Sequence, residues 1–167
     1  MNLLKDPWLT FKFVDGHEEV LPLSAIVNPD IIDFSLPRAD FHGAAYQFVI
    51  GILQTVFAPA DIDDWIDYYE QPPGRQDLQS GLKKAEHAFN VTGNGPLFMQ
   101  DFDDLMDVNL TPISGLLIEA PGKNTLKNNT DHFVKRGIGT EMSLEMAALA
   151  LFTLQINVPS GGQGHRV

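Results

Sequence analysis

Carboxylates are the first candidates for chemistry in this 167-residue chain. Asp61, Asp63, Asp64 and Asp67 form one cluster, and Asp101, Asp103, Asp104 and Asp107 a second. Side chains three apart share a helical face. Either cluster could therefore present two carboxylates to a magnesium ion or serve general acid–base chemistry. Acidic runs are more often solvated faces, and no His, Lys or Arg is interleaved with either cluster to complete a site. The five histidines, His17, His42, His87, His132 and His165, stand apart, with no i, i+4 pair to set two imidazoles on one helix face. Zinc or iron therefore has no ligand set. The absence of cysteine removes disulfides, thiolate metal sites and cysteine nucleophiles together. There is no GxSxG elbow, Walker A motif or HExxH, and no GxGxxG after a strand. The sequence predicts no catalytic residue, metal or cofactor, and so no enzyme. A metal-dependent hydrolase using the aspartate clusters stays as an alternative.

The elements that would position any site follow from periodicity. Residues 9–14 alternate, Asp15-Gly16 supplies a turn, and Glu18–Leu21 returns as a second strand, a hairpin pattern. Ser24 is placed to cap a short helix ending near Asn28-Pro29, and Asp33–Pro37 reads as extended. Phe41, Ala44, Ala45, Phe48, Val49, Ile52, Leu53, Val56 and Phe57 trace one helical face, with Asp40 as N-cap and Pro59 as stop. His42 and Tyr46 lie off that stripe, as surface residues rather than ligands. Asp61 to Glu70 predicts a short acidic helix broken by Gln71-Pro72-Pro73-Gly74, and residues 77–88 a further helix. Asn90–Pro96 reads as a loop, Thr111 as the cap of a short helix through Leu117, Ala120–Asn129 as a surface loop and His132–Val134 as a brief strand. Ser143 or Thr140 opens the last helix, whose run Met146–Leu154 is apolar nearly all round and therefore expected to be buried. A glycine-rich loop over 155–167 follows. The predicted fold is α+β, a mostly helical globular domain with a small N-terminal β-hairpin or sheet, forming a single domain over 1–167. A buried helix running straight into a glycine-rich loop suggests a fragment of a longer polypeptide.

Net charge is −11, which weighs against a nucleic-acid partner, but its distribution is uneven. Residues 1–120 hold 6 Lys/Arg against 19 Asp/Glu, a balance of −13, whereas residues 121–167 hold 5 against 3, a balance of +2. A polyanion contact belongs in the last third, with the acidic remainder facing solvent or partner proteins. An acidic protein-interaction module without nucleic-acid contact stays as a second alternative. No stretch reaches the roughly 20 apolar residues of a membrane span, and Met1–Trp8 lacks a signal-peptide core. The expectation is a soluble cytoplasmic protein with no membrane contact.

Three stretches resemble the large subunit of the type I-E CRISPR Cascade complex, the CasA or Cse1 family. The opening Met1-Asn2-Leu3-Leu4 followed by Trp8 is similar to that family's start. Pro96-Leu97-Phe98-Met99-Gln100, then Leu110-Thr111-Pro112 and Leu116-Leu117, resemble its central segments. Ala147–Phe152 leading into Pro159-Ser160-Gly161-Gly162-Gln163-Gly164-His165 resembles its helix and glycine loop. Over residues 15–95 the likeness thins to hydrophobic pattern. The resemblance implies a non-catalytic subunit of an RNA-guided antiviral surveillance complex. Such a subunit recognises the protospacer-adjacent motif in double-stranded DNA and helps recruit a helicase-nuclease. Its partners are other Cascade subunits, the crRNA 5′ end and target DNA. The chain would be the N-terminal part, with a C-terminal helical bundle, a glutamine wedge and a DNA-contacting lysine beyond residue 167.

Two sites carry over by the same resemblance. The glycine loop maps to Ser160, Gly161, Gly162, Gln163, Gly164 and His165, with Arg166 as the basic neighbour. The loop that meets guide RNA and DNA maps to Asn129, Thr130, Asp131, His132, Phe133, Val134 and Lys135. Glycine lacks a Cβ, so a Gly-Gly-Gln-Gly backbone could enter a minor groove only about 6 Å wide and read its degenerate pattern. Arg166 and His165 would then hold phosphates, which positions without specifying. Phe133, flanked by Lys135 and Arg136, could stack on a base or wedge a step.

Overall fold

Leu9, Phe11 and Phe13 alternate with Thr10 and Lys12, the two-residue period of a strand with one buried face. The structure, a computed structural model, describes residues 1–102, 109–134 and 136–157. Leu9–Phe13 forms β1, with all three apolar side chains buried. β2 (Glu18–Leu21) returns antiparallel, pairing Leu9 with Leu21 and Lys12 with Glu18. Gly16 makes the turn at φ +88°, a left-handed conformation glycine adopts without strain. β3 (Ile31–Phe34) pairs with the other edge of β1, giving the order β2-β1-β3. The extended stretch expected over Asp33–Pro37 therefore begins earlier, because Phe13 takes Ile31 as its cross-strand partner. Between β2 and β3, Leu23–Val27 is a 3-10 turn with Pro22 at its N-cap. Ser24, expected to cap it, is instead buried inside it.

The apolar stripe becomes α1 (Ala39–Val56), which buries Phe41, Ala44, Ala45, Phe48, Val49 and Ile52. Arg38 rather than Asp40 occupies the N-cap. Asp40 lies in the first turn, where a carboxylate favours the helix dipole, and it pairs with Arg38 at 2.9 Å. His42 and Tyr46, one turn apart, converge on Asp33 of β3. His42 Nε2 lies 2.8 Å from Asp33 Oδ1, and the Tyr46 hydroxyl donates to the same oxygen at 2.7 Å. The Tyr46 bond is the main cause holding the Asp33 carboxyl below its ordinary value, and it raises the Tyr46 phenol in turn.

The sign of each shift sets a pH window. A depressed carboxylate stabilises above its ordinary pKa of about 4 and loses that contribution as pH falls through the folded value; a raised phenol stabilises below about 10 and loses it as pH rises. Tyr46→Phe should cost about 1 kcal/mol near pH 7 for a partly exposed bond. That difference from the parent should shrink at pH 3 and at pH 11, read by denaturant titration.

The N-terminal segment is zipped onto residues 86–98. Asn2 Nδ2 donates to the Glu86 carbonyl at 2.8 Å and to Asn90 Oδ1 at 2.9 Å. Leu3 N–H donates to the Phe89 carbonyl, and Val91 N–H to that of Met1. Trp8 donates its indole N–H to the Leu3 carbonyl at 2.6 Å and meets Phe48 edge-on at 5.6 Å. Phe48 also meets Phe89 and Phe98, at 5.9 and 6.0 Å.

Asp61 caps α2 (Ile62–Glu70), accepting from the N–H groups of Asp63 and Asp64 at 3.0 Å. After the proline break, α3 (Arg75–Ala85) begins two residues before the expected start, its entry held by Gly74 N–H donating to Asp77 at 3.2 Å. A 3-10 turn, Glu86–Ala88, follows. Gly81 of α3 sits so close to Phe57 that a Cβ there would lie 2.6 Å from the ring.

These elements belong to one compact unit, Met1–Gln100; Asp101–Val167 forms a second. In the second, Ile113–Leu116 is a 3-10 turn with Pro112, not Thr111, at its N-cap. Ala120–Asn129, expected as loop throughout, contains a short helix, α4 (Lys123–Lys127), because Leu126 N–H closes onto the Gly122 carbonyl. α5 (Leu144–Asn157) starts after Ser143, whose Oγ accepts from Met146 N–H at 3.3 Å. It packs on the 3-10 turn. Only Ala148, Leu149, Ala150 and Thr153 are fully buried on it, fewer than its apolar run predicts. The fold is α+β and mostly helical, with a small three-stranded antiparallel sheet. Among the described residues no helix is long and apolar enough to cross a membrane.

Candidate nucleic-acid interface

The loop from Asn129 to Val134 is built by turns rather than by strand pairing. Asn129 takes φ +51°, a left-handed conformation that asparagine tolerates better than most residues. Thr130 N–H donates to the Thr125 carbonyl at 3.0 Å, tying the loop to α4. Val134 N–H donates to the Asp131 carbonyl at 3.2 Å, so His132 and Phe133 sit in a turn and the brief strand expected at 132–134 does not form.

A charged clamp closes this loop. Arg136 Nε and Nη2 donate to the two carboxylate oxygens of Asp131 at 2.6 Å, and Nη2 also donates to Asn129 Oδ1 at 2.9 Å. The Asp131 side chain is only 6% exposed. Its hydrogen bonds from Arg136 hold its carboxyl at about 2 and raise the guanidinium in turn. A depressed carboxylate stabilises above its ordinary value and loses that contribution as pH falls, here through about 2. The clamp therefore stays closed across the neutral and mildly acidic range. Bidentate arginine–carboxylate pairs fix geometry as well as charge.

What the clamp presents is Phe133, with its side chain wholly in solvent at 101% of the reference exposure. Leaving a phenylalanine in water forgoes roughly 1.5–3 kcal/mol of burial. Phe133 also lines a cleft of about 760 Å³ with Leu117, Leu126, Val134 and Ile138, whose charged members are Glu119, Lys123 and Arg136. An aromatic ring at an apolar cleft with more cationic than anionic side chains in its lining suits a flat, anionic ligand such as a nucleotide.

Of the predicted site residues, Asn129, Thr130, Asp131, His132, Phe133 and Val134 come together in this loop. Lys135 lies outside the described residues, as do Ser160, Gly161, Gly162, Gln163, Gly164, His165 and Arg166. Arg136 is spent on Asp131 and Asn129 rather than aimed outward beside Phe133. Sequence reasoning did not find the clamp or the contribution of Lys123 and Ile138. The available signal was an acid and a base five apart, bracketing an aromatic.

In the first carboxylate cluster two side chains are engaged with backbone N–H groups at the entry of α2. Asp61 caps α2, and Asp64 accepts from Ala60 N–H at 3.1 Å. Asp103, Asp104 and Asp107 lie outside the described residues. Among the described residues no group of three or more His, Asp or Glu could hold a metal ion.

The chain is similar in fold to several solved structures. It matches Cse1 of Thermobifida fusca at TM-score 0.69 with 20% identity, covering 93% of this chain and 29% of that one. CasA (Cse1) of Thermus thermophilus matches at 0.69 with 18% identity, covering 96% of this chain and 32% of that one. A Cse1 protein of Acidimicrobium ferrooxidans matches at 0.65 with 18% identity, over 93% of this chain and 28% of that one. The chain thus spans about a third of the length of these proteins. No curated protein matches. The family model described as CRISPR-associated protein Cse1 matches residues 2–167. A match over nearly the whole chain, on a fold shared with solved Cse1 structures, carries the conclusion that this chain belongs to the CRISPR-associated Cse1 family.

Proposed function

We propose that this chain is the N-terminal part of a Cascade large subunit, acting without catalysis in RNA-guided inspection of double-stranded DNA. In this reading it recognises the protospacer-adjacent motif, touches the crRNA 5′ end, and helps recruit a helicase-nuclease that makes the cut. Family membership supports the assignment to the complex. The observation that carries the nucleic-acid reading is Phe133, held out by the Asp131–Arg136 clamp in the last third of the chain, whose charge balance is positive.

The division of labour has a physical logic. Base pairing with a guide reads the target, so the protein needs only a short motif and a means of prising open the first steps. An exposed aromatic can stack on a splayed base or wedge between steps. A glycine-rich backbone over Ser160–Gly164 could lie in a minor groove, with Arg166 on a phosphate.

Two variants test the proposal in the assembled complex. Phe133→Ala should weaken target-duplex binding while complex yield stays unchanged; full binding by that variant overturns the role of Phe133. Gly162→Asp adds both a side chain and a negative charge to the glycine segment, and should abolish motif-dependent binding while assembly persists. Undiminished motif preference in gel-shift titrations would remove the glycine segment from recognition.

A further inference from the structure

Asn94 is the one asparagine of the chain that a glycine follows. The pair lies in the bend that joins Asn90 to Phe98, where the residues from Thr92 to Pro96 are all exposed. The base of that bend is tied. Val91 N–H donates to the Met1 carbonyl at 2.9 Å, and Phe98 N–H to the Asn90 carbonyl at 2.7 Å. Its tip is different. Among the described residues, neither the Asn94 carboxamide nor the Gly95 N–H has a hydrogen-bond partner. Gly93 and Gly95 take φ +128° and +96°, and a Cβ built on either would meet nothing within 4 Å.

A main-chain nitrogen beside a carboxamide is a nucleophile within reach of an electrophile. Their reaction closes a five-membered ring, so the side chain and the following amide must both be free to turn. A Cβ on the following residue crowds the attack, and glycine has none. Asparagine is among the residues that heat degrades. The same chain holds locked counterparts. In Asp15-Gly16, Asp15 Oδ1 accepts from His17 N–H at 3.0 Å, and Gly16 N–H donates to the Phe13 carbonyl at 2.9 Å. The amides that follow Asn128 and Asn129 donate to the Leu126 and Thr125 carbonyls. Asn28 precedes proline, which has no N–H.

We propose that Asn94-Gly95 is a self-modifying site, at which Asn94 is converted to aspartate and isoaspartate by water without an enzyme. The Gly95 nitrogen gives its proton to hydroxide and attacks Asn94 Cγ. The bond from Cγ to Nδ2 breaks, and the nitrogen leaves as ammonia with a proton taken from water, closing a succinimide. Water then adds to one of the two ring carbonyls. Opening at Cγ gives aspartate, and opening at the main-chain carbonyl gives isoaspartate. No electrons change hands. Either product adds a carboxylate to an already acidic unit, and isoaspartate also lengthens the main chain by one methylene. The tied base and the open tip let the bend accept both while the N-terminal segment stays zipped in place. This inference stands apart from the nucleic-acid reading.

The test ages the purified full chain at neutral and at mildly alkaline pH. Peptide mapping by mass spectrometry follows each asparagine, and an isoaspartyl carboxyl methyltransferase with labelled methyl donor serves as the probe for isoaspartate. The peptide carrying Asn94 should gain the mass of an OH in place of NH2 and should take up label. Its conversion should quicken as pH rises, because the deprotonated nitrogen attacks, and the other asparagine peptides should lag severalfold. A synthetic peptide of residues 90–98 gives the rate of the unrestrained sequence, which the folded chain should match within a few-fold. Asn94→Gln would have to close a six-membered ring and should lose the label, with its circular dichroism unchanged. A folded chain that converts an order of magnitude more slowly than the peptide would overturn the proposal. So would conversion at Asn128 or Asn129 ahead of Asn94, or label that persists in Asn94→Gln.

Discussion

Phe48→Ala will lower the unfolding free energy by about 3–5 kcal/mol, the range for emptying a buried phenylalanine site. Phe48 is 3% exposed and touches Trp8, Phe89 and Phe98, so one ring joins α1 to the N-terminal segment and to the loop after α3. Its T-shaped contacts add to area burial because ring edges meet ring faces. Against a typical domain stability of about 5–15 kcal/mol, the loss leaves little in reserve. Denaturant titration followed by Trp8 fluorescence should show the drop directly, since Trp8 leans on Phe48. Phe48→Leu keeps most of the volume and should cost under about 1.5 kcal/mol if the site repacks. A loss below 1 kcal/mol for the alanine variant would mean that this cluster does not hold the first unit together.

Phe133→Ala is the counterpart at the surface, with a large effect on binding and almost none on folding. Its side chain touches solvent, so stability should stay within about 0.5 kcal/mol of the parent. If Phe133 stacks on a base, its loss should remove about 1–3 kcal/mol of binding, roughly 5- to 150-fold in affinity for the assembled complex. Phe133→Trp should retain binding, because any broad π face serves. The dependence of binding on salt should keep its slope in Phe133→Ala, because no phosphate contact is removed. Lys123→Ala should flatten that slope instead if Lys123 meets a phosphate. Parallel loss of folding and binding in Phe133→Ala would show the ring to be structural.

Part of the family-like motifs is packing. Leu3, Leu4, Trp8, Phe98, Leu117 and Leu149 are all buried, whereas Met99 and Leu110 are exposed and residues 159–165 lie outside the described residues. Core positions tolerate few side chains, and their pattern therefore survives in a sequence when surface detail does not. The candidate site was legible only in part. Asn129–Val134 could be placed by resemblance, but its turn could not, because valine and phenylalanine favour strands by local preference. The Asp131–Arg136 pair overrides that preference.

What the amino-acid order determined by itself was periodic and local: the alternation of β1, the Asp15-Gly16 turn, the apolar face of α1, the short acidic helix α2 and the stop at Pro72-Pro73. Each rests on contacts within a turn or a hairpin, where spacing along the chain equals spacing in space. Tertiary structure decided the rest. It set Asn2 against Asn90, brought His42 and Tyr46 onto Asp33, and turned Arg136 inward onto Asp131. It also left Phe133 and the aromatic edge of α2 in solvent. Exposure is a property of everything a residue fails to touch, and no local window of sequence contains that information.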